Sequence, residues 1–335
     1  MNWALIGAST IASQFMVKAL RAQPGGAVVW VVSGTAQRAA DFAASHDIPQ
    51  SGTDISAALA DPAVDAVYIS STNEKHFAQT MAALAAGKHV LCEKPLAMSL
   101  PDAQAMVAAA AGAGLTLGTN HHLRCAGSHQ TLRDLIAAGR IGKVLSVRIH
   151  HAVHLPQSLQ GWRIDSAITG GGVVADITVH DADVVRFLLG EDPQTVVAQV
   201  ASSGMGQGVE DSAMSVWTMP SGAMISSHES FTHPFAGTGI EVHGTTGSLF
   251  GRGVMTQRPV GQIDLVTATG RQSIPFADHD LYTYGVARFC AAVTGTGTVT
   301  GTPAATGMDG VKSLAVALAV LDAASTGSRV TVAYQ

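Results

Sequence analysis

Asn2-Trp3-Ala4-Leu5-Ile6-Gly7-Ala8-Ser9-Thr10-Ile11-Ala12 opens the chain with an apolar run that stops at a glycine and restarts as a helical pattern. This is a strand–turn–helix signature, the context in which a dinucleotide fingerprint has meaning. The stretch departs from G-x-G-x-x-G at two places, with Ser9 for the second glycine and Ala12 for the third. Alanine there still lets helix and strand pack closely. A serine hydroxyl beside a helix N-terminus offers hydrogen bonds to a pyrophosphate. A tight strand–helix turn with no ligand would look similar, so the motif is weak taken alone.

Beyond the first strand candidate, Trp3–Ile6, apolar stretches recur at Val28–Val32, Val64–Ser70, His89–Cys92 and Leu115–Thr119. Helical patterns lie between them, near Ile11–Arg21, Gln37–Ser45, Ile55–Ala60, Phe77–Ala86 and Pro101–Ala113. Ser99 and Gly114 have the chemistry of an N-cap and a terminating glycine for the last of these. Parallel strands need crossover helices, so the alternation predicts an α/β, dinucleotide-binding domain over residues 1–120. After Asn120 the rhythm changes. Helical stretches near Ser128–Ala138 and Ile177–Leu189 flank a strand at Val144–His151. Alternating stretches follow at Thr195–Ala201, Ser212–Met219, Ala223–Ser230 and Gly239–His243. This predicts an α+β domain over residues 121–335, with a largely antiparallel, open-faced sheet. Helical stretches at Tyr282–Val293 and Gly310–Thr326 close the chain.

Only 13% of the 335 residues are charged and 47% are hydrophobic, which excludes a disordered chain and fits about two domains. The net charge of −5 and the lack of a basic run argue against nucleic acid or an anionic membrane as partner. No apolar run reaches the ~18 residues of a membrane span, and no leader signature precedes the first strand, so cytoplasm is the default. Cys92, Cys125 and Cys290 are widely spaced, as expected of reduced thiols, with neither disulfide framework nor zinc spacing. Oligomeric state is open to monomer or homo-oligomer.

Chemistry enters at Glu93-Lys94-Pro95-Leu96-Ala97-Met98, which follows the strand pattern Lys88-His89-Val90-Leu91-Cys92. A lysine at the carboxyl end of a strand stands where open α/β sheets bind ligands and suits polarising a carbonyl. A solvated loop lysine before a turn proline is the plainer reading. After the second strand, Val31-Val32-Ser33-Gly34-Thr35-Ala36-Gln37-Arg38 lacks the acid that binds a ribose 2′-hydroxyl. Ser33, Thr35 and Arg38 suit a 2′-phosphate, which favours NADP(H), although Arg38 is also placed as a surface helix residue. Following the glycine triplet Gly170-Gly171-Gly172, Asp176 and His180 stand four apart and share a face if the segment is helical. They fit an acid–base pair. A core histidine is an alternative, whereas a metal site lacks a third ligand at a recognisable spacing. Asp181 and Asp183 read as the solvated side of that helix.

These stretches, with Glu241-Val242-His243-Gly244-Thr245-Thr246-Gly247-Ser248-Leu249, together resemble the Gfo/Idh/MocA oxidoreductases over essentially the whole chain. The resemblance implies a Rossmann domain followed by a substrate domain. It implies that Ser9, Thr10, Ile11 and Ala12 hold the pyrophosphate, and that Ser33, Gly34 and Arg38 surround a 2′-phosphate. Ser71, Thr72, Asn73 and His76 would line the cofactor cleft, with Glu93, Lys94 and Asn120 near the nicotinamide ribose. Trp162 and Arg163 match positions beside the nicotinamide, and Tyr282 adds a contact or packs its helix. A cis peptide is implied at Lys94–Pro95. The matches at Asn120–Arg124, Leu159–Arg163 and Asp176–Asp183 narrow the resemblance to a family member that reduces the C2 ketone of an anhydro-hexulose with NADPH. Lys94 would then polarise the carbonyl and Asp176 anchor a hydroxyl, with His180 the favoured proton donor and Lys94 its rival. Other sugar or polyol dehydrogenases, an NAD-dependent glycosidase and a cofactor sensor are the alternatives. No metal is implied.

Overall fold

The computed structural model describes residues 1–295 and 301–335. The chain divides into two compact units, Met1–His122 with Tyr282–Val311, and Leu123–Leu281 with Lys312–Gln335.

The first unit is built on six parallel strands: β1 (Asn2–Ile6), β2 (Ala27–Val32), β3 (Gln50–Gly52), β4 (Ala66–Ile69), β5 (His89–Cys92) and β6 (Leu117–Thr119). Their spatial order is β3-β2-β1-β4-β5-β6, so the order reverses between β1 and β4. Leu5 lies beside Val31 on one side and Tyr68 on the other. Every residue of β4 is buried, as it must be when helices cover both faces of the sheet. The first helix starts as a π-turn at Ala12–Met16 and continues as α1 (Val17–Arg21). The others are α2 (Ala36–Ser45), α3 (Ile55–Ala60), α4 (His76–Ala85) and α5 (Leu100–Ala113). Ser99 caps α5 by accepting from the Asp102 amide, and Gly114 ends it at φ 66°.

The second unit carries α6 (Gly127–Ala137), β7 (Val144–Ala152), α7 (Trp162–Asp165), α8 (Val179–Leu189) and β8 (Thr195–Ala201). Its sheet is completed by β9 (Ser212–Thr218), β10 (Met224–Ser230), β11 (Thr238–Gly244), β12 (Gly247–Arg252), β13 (Gln262–Thr267), β14 (Gly270–Ile274) and β15 (Val330–Thr331). The nine strands run in the order β14-β13-β12-β11-β7-β10-β9-β8-β15. β7 and β10 are parallel and the other pairs antiparallel. Along β9, Ala213, Ser215 and Trp217 are buried while Met214 and Val216 face solvent, the period-two pattern of a one-sided sheet.

Several features lie outside the sequence expectations, the short α7 and β15 among them. β3 and the β12–β14 meander were not anticipated. β3 is three residues of Gln, Ser and Gly with no apolar signal, and the meander is broken by glycines and charges. Also, α9 (Leu281–Thr294) and the start of α10 (Gly307–Thr326) return to the first unit. Trp3 packs against Phe289 at 5.3 Å, and Thr119 donates its amide to the Ala305 carbonyl and its hydroxyl to that of Thr306. Such contacts leave no local trace in the sequence.

Gly7 is the tightest point of the first unit. It has φ 118°, and a Cβ there would stand 2.8 Å from the backbone of Ser70 and Ser71. Gly7→Ala should therefore lower unfolding free energy by at least about 2 kcal/mol, combining backbone strain with displacement of the β4 end. Urea denaturation checks this; an unchanged midpoint would show that the turn yields easily.

Candidate active site

In the first unit, the predicted residues gather at the carboxyl edge of β1, β4, β5 and β6, the edge on which such sheets bind ligands. The Ser9 hydroxyl accepts from the Ala12 amide (3.1 Å) and donates to Ser70 Oγ (2.7 Å). It therefore caps the first helix and ties the β1 turn to β4. Thr10 is exposed and Ile11 half-buried. Thr35 caps α2, and Arg38 folds back so that Nε and Nη2 both donate to the Ala8 carbonyl, at 3.2 and 2.8 Å. Its guanidinium is thus held beside the phosphate turn. An open depression of about 560 Å³ lies here, lined by Ala8, Thr35, Gln37, Arg38, Asp41, Phe42 and Ser45. Ser33 is buried, its amide donating to Gly52, and Gly34 has open space around its Cα. A cation, a helix-opening turn and an open depression suit a phosphorylated nucleotide.

Glu93 is buried, and its Oε1 accepts from Tyr68 Oη (2.5 Å) and Asn120 Nδ2 (2.6 Å). Burial raises its carboxyl pKa, opposed by these two donors and by the Lys94 charge. Tyr68, pushed well above its usual pKa by burial and by Glu93, keeps its proton and remains a donor. Sequence reading missed Tyr68, because a tyrosine within Ala66-Val67-Tyr68-Ile69 looks like ordinary core. Ser71 donates to Gln79 Oε1 (2.6 Å) and Thr72 to Glu74 Oε1 (2.7 Å), while Asn73 is buried. The Lys94–Pro95 peptide is cis. Tyr282 is stacked between Phe15 (4.7 Å) and His122 (5.1 Å), with 1% of its surface exposed.

In the second unit, the glycine triplet has a steric purpose. Gly170 and Gly172 have positive φ, and a Cβ on Gly171 would stand 2.4 Å from the Trp162 carbonyl. With the Gly172 amide donating to the Arg163 carbonyl (2.9 Å), this packing lays the Trp162–Arg163 turn against the start of the next helix. Arg163 Nε consequently lies 3.5 Å from Asp176 Oδ2, and its guanidinium covers the Trp162 ring at 4.6 Å. Asp176 belongs to a π-turn, Val174–Thr178, that runs into α8, and His180 is buried in the first turn of α8. The segment is helical as predicted but is wound wider at Asp176.

Asp181 and Asp183 are not solvated, which corrects the sequence reading; both are essentially inaccessible. Asp183 is clasped by Arg124, which donates from Nε (2.9 Å) and Nη2. Asp181 Oδ1 stands 3.1 Å from His151 Nδ1, and its carboxyl meets that of Glu229, also fully buried and bonded to Ser227. Burial drives both carboxyls well up, and the Asp181 charge pushes Glu229 further. The sequence carried a signal for this. Ile225, Ser227 and Glu229 alternate along β10, which puts the acid on the buried face.

Among the described residues, no group of three or more His, Cys, Asp or Glu is placed to hold a metal, and no helix is long and apolar enough to cross a membrane.

Fold and site together define an oxidoreductase with a nucleotide-binding Rossmann domain. Residues 1–121 match the family model for the oxidoreductase family with an NAD-binding Rossmann fold, and residues 129–250 match the GFO/IDH/MocA C-terminal domain. The chain belongs to the Gfo/Idh/MocA family. It is 53% identical to the 1,5-anhydro-D-fructose reductase of Ensifer adhaerens over 97% of each chain. It is 31% identical to a rabbit (Oryctolagus cuniculus) trans-1,2-dihydrobenzene-1,2-diol dehydrogenase over 68% of this chain and 67% of that one. The fold is shared with an aldose-aldose oxidoreductase from Caulobacter crescentus, at a TM-score of 0.89 and 24% identity over 99% of both chains.

The carboxyl pair yields a prediction. Because the folded state holds a proton that the unfolded chain releases above pH ~4, this pair costs stability as pH rises through and beyond that value. Glu229→Gln, which keeps a donor toward Asp181 without a titrating group, should flatten that fall and be no less stable than wild type at pH 8. Glu229→Ala should cost about 2–4 kcal/mol by stranding Asp181. Urea melts at pH 5 and pH 8 decide it; equal pH slopes for wild type and Glu229→Gln would refute a raised Glu229 carboxyl.

Proposed function

We propose that the protein reduces the C2 ketone of 1,5-anhydro-D-fructose to 1,5-anhydro-D-mannitol with NADPH. The observation that carries this reading is the 53% identity to 1,5-anhydro-D-fructose reductase over 97% of both chains. NADPH is favoured over NADH by the lack of an acid after β2 and by Arg38, whose guanidinium lies across the phosphate turn beside Thr35. In this reading Ser9–Ala12 hold the pyrophosphate by their backbone, and Ser33, Gly34 and Arg38 hold the 2′-phosphate. Ser71–Asn73, Glu93 and Asn120 line the cofactor cleft, and Trp162 and Arg163 are assigned to the nicotinamide.

When bound, the nicotinamide supplies the hydride that adds to C2. The chain's own residues handle charge and proton. Lys94 polarises the carbonyl and stabilises the developing alkoxide, where electrostatic catalysis contributes most. His180 supplies the proton to the oxygen. Asp176, held by Arg163, accepts a hydrogen bond from a neighbouring hydroxyl, since each hydroxyl of a desolvated sugar needs a partner.

Two measurements test the reading. Arg38→Ala should weaken NADPH by about 1–3 kcal/mol while leaving NADH nearly unchanged; equal affinity of the wild type for both nucleotides would overturn the cofactor assignment. Incubation with NADPH and 1,5-anhydro-D-fructose should consume the cofactor and give anhydromannitol on chromatography. Anhydroglucitol would reverse the assigned face, and inertness would remove the substrate.

A further inference from the structure

Val90 to Ala97 is a buried stretch with one exception. Val90, Leu91, Cys92, Glu93, Pro95, Leu96 and Ala97 are all buried, and Lys94 alone is partly open. A lysine side chain has four rotatable carbons, so its ammonium is only as well placed as the backbone that carries it. Upstream the backbone is fixed by Glu93, through Tyr68 and Asn120. Downstream there is a different device. His76, the first residue of α4, is completely buried, with Nδ1 2.8 Å from the Pro95 carbonyl and Nε2 3.2 Å from the Ser71 carbonyl. One ring therefore spans the loops that leave β4 and β5.

Burial lowers the His76 pKa, and the nearby Lys94 charge adds to this, against the two carbonyls. A neutral imidazole carries one N–H, and with Nδ1 making the closer contact, 2.8 Å against 3.2 Å, the proton is assigned there. That proton goes to the carbonyl of the residue following Lys94.

We infer that His76 is a positioning residue for Lys94: its Nδ1–H fixes the Pro95 carbonyl, and with the Glu93 anchor it aims the Lys94 ammonium. The inference rests on the catalytic role given to Lys94 above and assigns His76 no contact with substrate or nicotinamide. Removing the donor strands the Pro95 carbonyl among buried neighbours, and the loop must shift to find a partner. A shift of the order of 1 Å in a catalytic group costs about a hundredfold in rate.

Asparagine and glutamine separate the two ring nitrogens, because Asn places an amide N–H where Nδ1 stands and Gln places one where Nε2 stands. His76→Gln should lower kcat by about a hundredfold, and His76→Asn by less than about tenfold, with NADPH affinity moving far less than kcat in both. A second readout does not depend on turnover: the labelling rate of Lys94 by an amine-reactive reagent, followed by mass spectrometry. It should change in His76→Gln and stay near wild type in His76→Asn. Unchanged labelling of Lys94 in folded His76→Gln would overturn the inference. So would equal losses of kcat in the two variants, or a loss of NADPH affinity as large as the loss of rate. Altered labelling with normal kcat would instead remove Lys94 from the mechanism, as would near-normal turnover of Lys94→Ala, and leave the clamp standing.

Discussion

Gly7 packs its Cα against the backbone of Ser70 and Ser71, and the rest of the first unit is arranged around that approach. β1 and β4 are neighbours at the point where the strand order reverses, so their crossovers leave toward opposite faces and open a crevice at the carboxyl edge. With no side chain at residue 7, the two strand ends close up enough for Ser9 to bond Ser70. The Ala8 carbonyl is then presented to Arg38, and the first helix begins under the turn. The loops after β4, β5 and β6 inherit their positions from this junction, and the Tyr68–Glu93–Asn120 bonds tie all three together.

The second unit solves the corresponding problem with charge buried in its interior. Arg124 and Asp183 satisfy each other, while burial raises the carboxyls of both Asp181 and Glu229 toward the neutral form. Buried pairs of this kind contribute little net stability, but breaking one is costly, which fixes how α8 lies on the sheet. α8 carries His180, so the buried polar groups on its core side also fix the orientation of the residue assigned to proton transfer.

Much of this was legible in the sequence. The βα alternation placed the parallel sheet, and Lys94 was readable as the residue that soon follows a buried strand, here β5. What was not legible depended on partners far along the chain. Asp181 and Asp183 look like solvent-facing charges because nothing within α8 reveals Arg124, His151 or Glu229. Tyr68 was indistinguishable from core because its hydroxyl meets an acid on the next strand over. β3 lacked a signal altogether, since Gln50, Ser51 and Gly52 are carried into the sheet by pairing with β2 and not by propensity.

The return of Tyr282–Val311 to the first unit bears on how the chain is made. Synthesis delivers β1 to β6 first, yet Trp3 acquires Phe289, and Thr119 acquires Ala305 and Thr306, only after the whole second sheet except β15 has been translated. Until then the nascent sheet lacks the Phe289 ring that packs on Trp3 and the carbonyls that accept from Thr119, and incompletely packed sheets of this kind are prone to aggregate. The first unit is therefore begun early and finished late. Its completion waits on residues that lie beyond the second unit's last long strands.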